Sequence, residues 1–213
     1  MTPEDLSARH PRLYHVTEPD AWAQIEKLGL LCTSRLLDLF EIEGAERRRL
    51  ERRRRPAPVP LTHPRLGHIV LNDQMPLREE ALERCLDDGL TPGDWLAMLN
   101  TRVFFWASEE GLARMLGARM NRTRPRDVLV FDTLSLARAH GPYMEVCPIN
   151  SGSTIRRPAR RGLGTFTAIG EMSYRDWTQK RGGRDRVLEV TLKGGAEDIA
   201  SHLVERRRLL PTE

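Results

Sequence analysis

The sequence predicts a single α+β domain, and three observations carry that prediction. The chain has 213 residues, which is enough for one sizeable core and short for two. Its first half reads mostly as helices and its second half mostly as short strands. Within the second half, DVLVFDT (127–133) is apolar on both alternating faces, as a strand covered on both sides would be.

The elements follow in order. Residues 11–17 read as a short strand. Pro19 then opens a helix through Ala21, Ile25 and Leu28, and Gly29 stands just past its end. Residues 34–50 continue the helical pattern into ERRRLERRRR (46–55). The prolines of PAPVPLTHP follow, so residues 46–66 read as a basic, proline-rich inserted linker. HIVLNDQMP (68–76) is a strand and turn. LREEALERCLDDGLTPGDWLAMLN is two amphipathic helices broken at Thr91-Pro92-Gly93. RVFFWAS (102–108) is an aromatic strand leading to a helix at 109–120. YMEVCPI (143–149) alternates as a strand and delivers the turn NSGST. After TFTAI and the helix-like EMSYRDWTQK comes the strand RVLEVTL (186–192), with KGGAEDIASHLV starting a last helix.

Composition narrows the function classes. With 39% hydrophobic and 30% charged residues the chain is neither disordered nor membrane-embedded in character. No apolar run reaches the roughly 18 residues of a membrane span, and the opening MTPEDLSARH has no leader-like apolar core. Cys32, Cys85 and Cys147 are far apart and form no CxxC pair, so a reducing, cytoplasmic setting is expected. The histidines form no HExxH or comparable spacing, so no metal is expected. The net charge of +4 rests on arginine, lysine occurring only at Lys27, Lys180 and Lys193. Arginine forks suit phosphates and bases, but a GC-rich coding bias gives the same composition.

Four features offer chemistry. Tyr14, His15 and Thr17 lie together at the end of the first strand, either as packing or as the edge of a ligand pocket. Glu189 and Glu145 each place a carboxylate in an apolar strand, which is costly without a partner or a polar cleft. Strand position does not choose between them. The turn PINSGST (148–154) offers backbone amides and hydroxyls to a phosphate or ribose, or is a plain Asn-Ser-Gly turn. GxSxG, GxGxxG and Walker motifs are absent, so a hydrolase triad or a dehydrogenase finds no support.

Four pieces in fixed order carry a resemblance: LYHVTEPDAWAQIEKLGLLC, NTRVFFWASEEGLARML, TFTAIGEMSYRDW and RDRVLEVTLKGGAEDIASHLV. Together, over about half of the chain, they resemble NAD-dependent ADP-ribosyltransferases of the DarT type. The resemblance implies a split, mixed β-sheet core flanked by helices, with NAD as co-substrate and no metal. It implies that His15 and Thr17 contact the dinucleotide and that Glu189, rather than Glu145, is the catalytic glutamate. The family's arginine beside Ser-Pro-Met has no equivalent in ASEEGLARML. Arg102, Trp106 and Ser108 are then the expected cofactor contacts, with Arg102 standing in for the lost charge. Asn150, Ser151, Ser153, Thr154 and Arg156 are the expected acceptor-binding residues. The implied activity is transfer of ADP-ribose to a nucleic acid, a DNA base before RNA, as a bacterial toxin or defence effector with an antitoxin partner. Two other readings stand beside it: an RNA 2′-phosphotransferase-type enzyme using NAD, and a non-catalytic nucleotide- or nucleic-acid-binding module.

Overall fold

The computed structural model describes residues 1–118, 124–155 and 157–210. Its centre is a seven-stranded sheet in the order β11-β6-β1-β5-β9-β7-β8. The strands are β1 (Arg12–Thr17), β5 (Arg102–Trp106), β6 (Arg126–Asp132), β7 (Met144–Cys147), β8 (Thr167–Ala168), β9 (Glu189–Lys193) and β11 (Leu203–Leu209). Every pairing in it is antiparallel, which corrects the expectation of a mixed sheet. The sheet with its helices is an α+β architecture.

Alternation along the strands sorts the side chains onto two faces. On one face Leu13, Leu129, Phe131, Val103, Phe105, Val190 and Val146 pack with Leu6, Leu136 and Trp177. Those last three come from α1 (Pro3–Arg9), α8 (Thr133–His140) and α9 (Tyr174–Gln179). On the other face Tyr14, Val128 and Val130 meet Leu112 of α7 (Glu109–Leu116). Farther along that face, Cys147 packs with Trp95 and Leu96 of α6 (Pro92–Asn100). Strand β6 lies between β1 and β11 with both faces covered, which is why its apolar residues run continuously.

One join in the sheet differs from the rest. β1 pairs with β6 over six consecutive residues, and β5 with β9 over five. Between β1 and β5 the only registered pair is Tyr14 with Trp106. Beyond it the two strands diverge, and the sheet opens into a cleft.

A smaller layer covers one side of the opening. It contains α2 (Trp22–Leu28), α3 (Thr33–Leu39), α4 (Gly44–Arg52) and the hairpin of β3 (Val59–His63) with β4 (Gly67–Leu71). Leu37, Phe40, Leu50, Leu61 and Leu71 form its core. The expected continuous helix over 34–50 is two helices, because Glu41 and Gly44 adopt positive φ and turn the chain between them. The expected linker at 46–66 is ordered: helix α4 runs to Arg52, and Val59–His63, with Pro60, is one arm of the hairpin. Pro60 is tolerated there because a two-stranded hairpin leaves its outer edge unpaired.

The expected last helix is also corrected. KGGAEDIASHLV forms β10 (Gly195–Ala196), a 3-10 turn (Ile199–His202) and the start of β11. Pairing with β6 outweighs the helix propensity of the Glu- and Arg-rich ending. Its charged side chains also blunt the edge of the sheet against further strand pairing. β10 pairs with β2 (Leu30–Leu31), so Gly29 and Gly195 meet neighbouring backbone closely.

Candidate functional site

The cleft opened by the diverging strands encloses about 540 Å³. Seven of the residues singled out from sequence line it: His15, Thr17, Arg102, Trp106, Asn150, Ser151 and Glu189. They come from the ends of β1, β5 and β9 and from the turn after β7. The antiparallel register places Glu189 beside both Trp106 and Cys147.

Glu189 is 5% exposed. Ser151 reaches its carboxylate twice, through the backbone amide at 3.2 Å and through the hydroxyl, which donates at 2.6 Å. Burial pushes the carboxyl pKa up to about 7, against the opposing pull of the Ser151 hydrogen bonds and the Arg161 charge. A carboxyl poised near neutrality can stabilise a developing positive charge when ionised and accept a proton.

His15 sits on the other lip. Its Nδ1 is 2.9 Å from the carbonyl oxygen of Phe104, so the ring bridges the gap where the β1–β5 ladder has ended. Burial lowers its pKa, keeping the imidazole neutral at physiological pH. A neutral ring donating from Nδ1 leaves Nε2 as an acceptor. Tyr14 faces away by alternation and packs against Leu112 and Val130.

Arg102 has another task than the one expected of it. It lines the cleft, but its guanidinium is held by Glu145 at 2.7 Å and 3.2 Å. Lys193 and Thr191 complete the Glu145 environment, at 2.9 Å and 3.0 Å. Burial raises the Glu145 pKa, but Arg102 and Lys193 outweigh it and hold the carboxyl below its ordinary range. Glu145 is therefore a saturated ion-pair partner, whereas no cation among the described residues is bonded to Glu189. The two glutamates that sequence context left equivalent have different environments.

Three expected site residues stand outside the cleft lining. Ser108 caps α7, its hydroxyl accepting from the Gly111 amide at 3.1 Å. Thr154 ties the turn to the Arg78 backbone, accepting its amide at 2.7 Å, and the Ser153 carbonyl accepts from Arg161 at 3.0 Å. These are structural roles, and the fold does not bring these three residues to the cleft lining with the other seven. Arg156 lies outside the described residues.

Arg161 is the residue that sequence reasoning missed. It is 2% exposed and donates to the carbonyls of Ser151 at 2.9 Å, Ser153 at 3.0 Å and Ala159 at 3.1 Å. Trp95 adds a 3.3 Å hydrogen bond to the same Ser151 carbonyl. These bonds hold the NSGST turn so that Ser151 faces Glu189. In sequence it is one of two adjacent arginines before a glycine, and nothing local distinguishes it. The cleft rim was also missed: Asp73 and Glu18 hold Arg124 and Arg126 in a four-residue ion network.

The basic run at 46–55 is largely neutralised within the protein. Arg47 pairs with Asp38 and Glu51, Arg49 with Glu46, and Arg52 with Asp94. Arg55 is buried, and its donors go to the carbonyls of Leu50 and Asn72 and to the Asn100 side chain.

Residues 11–203 match the model of a family of unknown function, DUF7002, so the match runs from β1 to the start of β11. The chain belongs to the DUF7002 family. Every residue of the cleft named above falls within the span that DUF7002 covers. No curated protein and no solved structure gives a significant match. Among the described residues no helix is long and apolar enough to cross a membrane.

Proposed function

We propose that this DUF7002 protein is an NAD-dependent ADP-ribosyltransferase, on an ADP-ribosyltransferase-like split sheet, whose acceptor is a nucleic acid, a DNA base before RNA. The observation that carries the reading is the pair of lips of one cleft: Glu189 on one, with its carboxyl poised near neutrality, and His15 on the other. His15 and Thr17 take the ribose hydroxyls and position the dinucleotide. Glu189 in its ionised form stabilises the oxocarbenium-like state as the C1′–N bond to nicotinamide breaks. The acceptor nucleophile then bonds to C1′, and its proton passes to Glu189. The sequence pI near 9.3 supports a polyanionic acceptor, although many arginines already have carboxylate partners.

An RNA 2′-phosphotransferase reading finds less support, because Arg102 and Arg126 are neutralised by Glu145 and Glu18 and are poor anchors for an RNA phosphate. The same neutralisation favours, as the second reading, a module that holds a nucleotide by its base and ribose without cleaving it.

Nicotinamide release from NAD, with and without DNA or RNA, tests the proposal. The wild-type protein is expected to release nicotinamide and label the nucleic acid, and Glu189→Ala to lose both activities while keeping its fold. Full turnover by Glu189→Ala defeats the catalytic assignment. Saturable NAD binding without any release by wild type selects the binding module. Toxicity of wild type but not of Glu189→Ala on expression would support an effector role.

A further inference from the structure

His140, Asp198 and His202 form a second cluster, away from the cleft and unused by the chemistry above. His140 ends α8. Asp198 and His202 are four residues apart around the 3-10 turn that leads into β11, so the turn brings them to one side. One ligand atom from each residue lies within 4.8 Å of the others. His140 Nε2 is 2.7 Å from Asp198 Oδ1, and His202 Nε2 is 3.5 Å from Asp198 Oδ2. The two rings meet edge to face, with centroids 5.6 Å apart.

His202 makes this more than a surface ion pair. It is 6% exposed, and its Nδ1 is held by Ser135 Oγ at 2.7 Å. Its Nε2 is buried, points into the cluster and makes no hydrogen bond, Asp198 Oδ2 standing 3.5 Å away. Buried ring nitrogens are rarely left without a partner, since the group has lost its water and gained nothing in return. A cation seated between the three residues supplies that partner.

We propose that His140 Nε2, His202 Nε2 and an Asp198 carboxylate oxygen bind one divalent transition-metal ion, zinc in the first instance. Two imidazoles and a carboxylate suit zinc rather than calcium or magnesium, which prefer all-oxygen shells. Ser135 acts as the outer partner that fixes the ring orientation of His202. Asp198 is more than half exposed, so its carboxylate is free to rotate inward and a water can take the fourth position. The ion fastens the end of α8 to the turn feeding β11, the edge strand of the sheet.

The test uses the full chain, free of any affinity tag and stripped with chelator, titrated with zinc chloride and separately with cobalt chloride. One equivalent of zinc is expected to bind, with a rise in Tm and no competition from calcium. Cobalt is expected to show ligand-field bands without a thiolate charge-transfer band, which excludes Cys32, Cys85 and Cys147 as ligands. His140→Ala and Asp198→Ala, both at exposed or half-exposed positions, should keep the native circular dichroism and lose the metal-dependent Tm rise. Ser135→Ala should weaken binding by about 10-fold. No stoichiometric zinc complex at micromolar concentration, equal affinity in wild type and His140→Ala, or a thiolate band would each overturn the proposal.

Discussion

Ser151 holds Glu189 at two points, its amide at 3.2 Å and its hydroxyl at 2.6 Å, at the buried start of strand β9. The hydroxyl stabilises the ionised carboxylate and so lowers its pKa. Ser151→Ala should therefore move the Glu189 titration to higher pH, and the acid limb of nicotinamide release with it. Carbon-13 NMR of the glutamate carboxyls reads the first effect directly. An unchanged or lower pKa would mean that the serine does not tune this group.

Glu189 also links stability to pH. Its folded-state pKa of about 7 is above the ordinary value of 4.5, so the folded protein binds the proton more tightly than the unfolded chain. The resulting stabilisation is full below about 4.5 and fades as pH rises through 7, a total on the order of 3 kcal/mol. Glu189→Gln cannot ionise, so it should be more stable than wild type at pH 8 and lose that advantage near pH 5. Urea denaturation at the two pH values measures this, and a variant less stable at pH 8 would contradict it.

Arg102 and Glu145 predict a different pattern. Arg102→Met leaves a buried carboxylate short of its bidentate partner and should cost roughly 3–5 kcal/mol. Combining it with Glu145→Leu removes the orphaned charge, and most of the loss should return. A double-mutant cycle with no recovery would show that Arg102 stabilises through its other contacts, the Met98 carbonyl and the Phe166 ring, and not through Glu145.

Gly195 carries φ +89°, and a Cβ there would sit 2.1 Å from the Leu30 carbonyl oxygen. Gly195→Ala should therefore destabilise by at least about 2 kcal/mol through strain and separation of the β2–β10 pair. A Tm equal to that of wild type would show that the backbone relaxes freely there.

Strands β1, β5, β6, β7 and the Gly29 end of the helix after Pro19 were legible because alternation and a glycine stop are local signals, whereas the helix begins only at Trp22. The NSGST turn was legible as a feature but not in its division of labour. Ser151 turns toward Glu189 only because Arg161 and Trp95, distant or undistinguished in sequence, grip its carbonyl. β11 was hidden because strand formation there depends on the partner β6, some 70 residues earlier, and not on its own Glu- and Arg-rich residues. Charge pairing was hidden for the same reason. Arg102 reads as a free cation until folding sets Glu145 beside it.

The single registered pair between Tyr14 and Trp106 makes the sheet mechanically uneven. Two stiff slabs, one built on β6 and the other on β9, share a seam one residue pair wide, with the His15–Phe104 contact as its outermost stitch. A guest that bonds His15 at Nε2 leaves that Nδ1 stitch in place, so one side chain can both close the seam and receive the ligand while both slabs keep their shape.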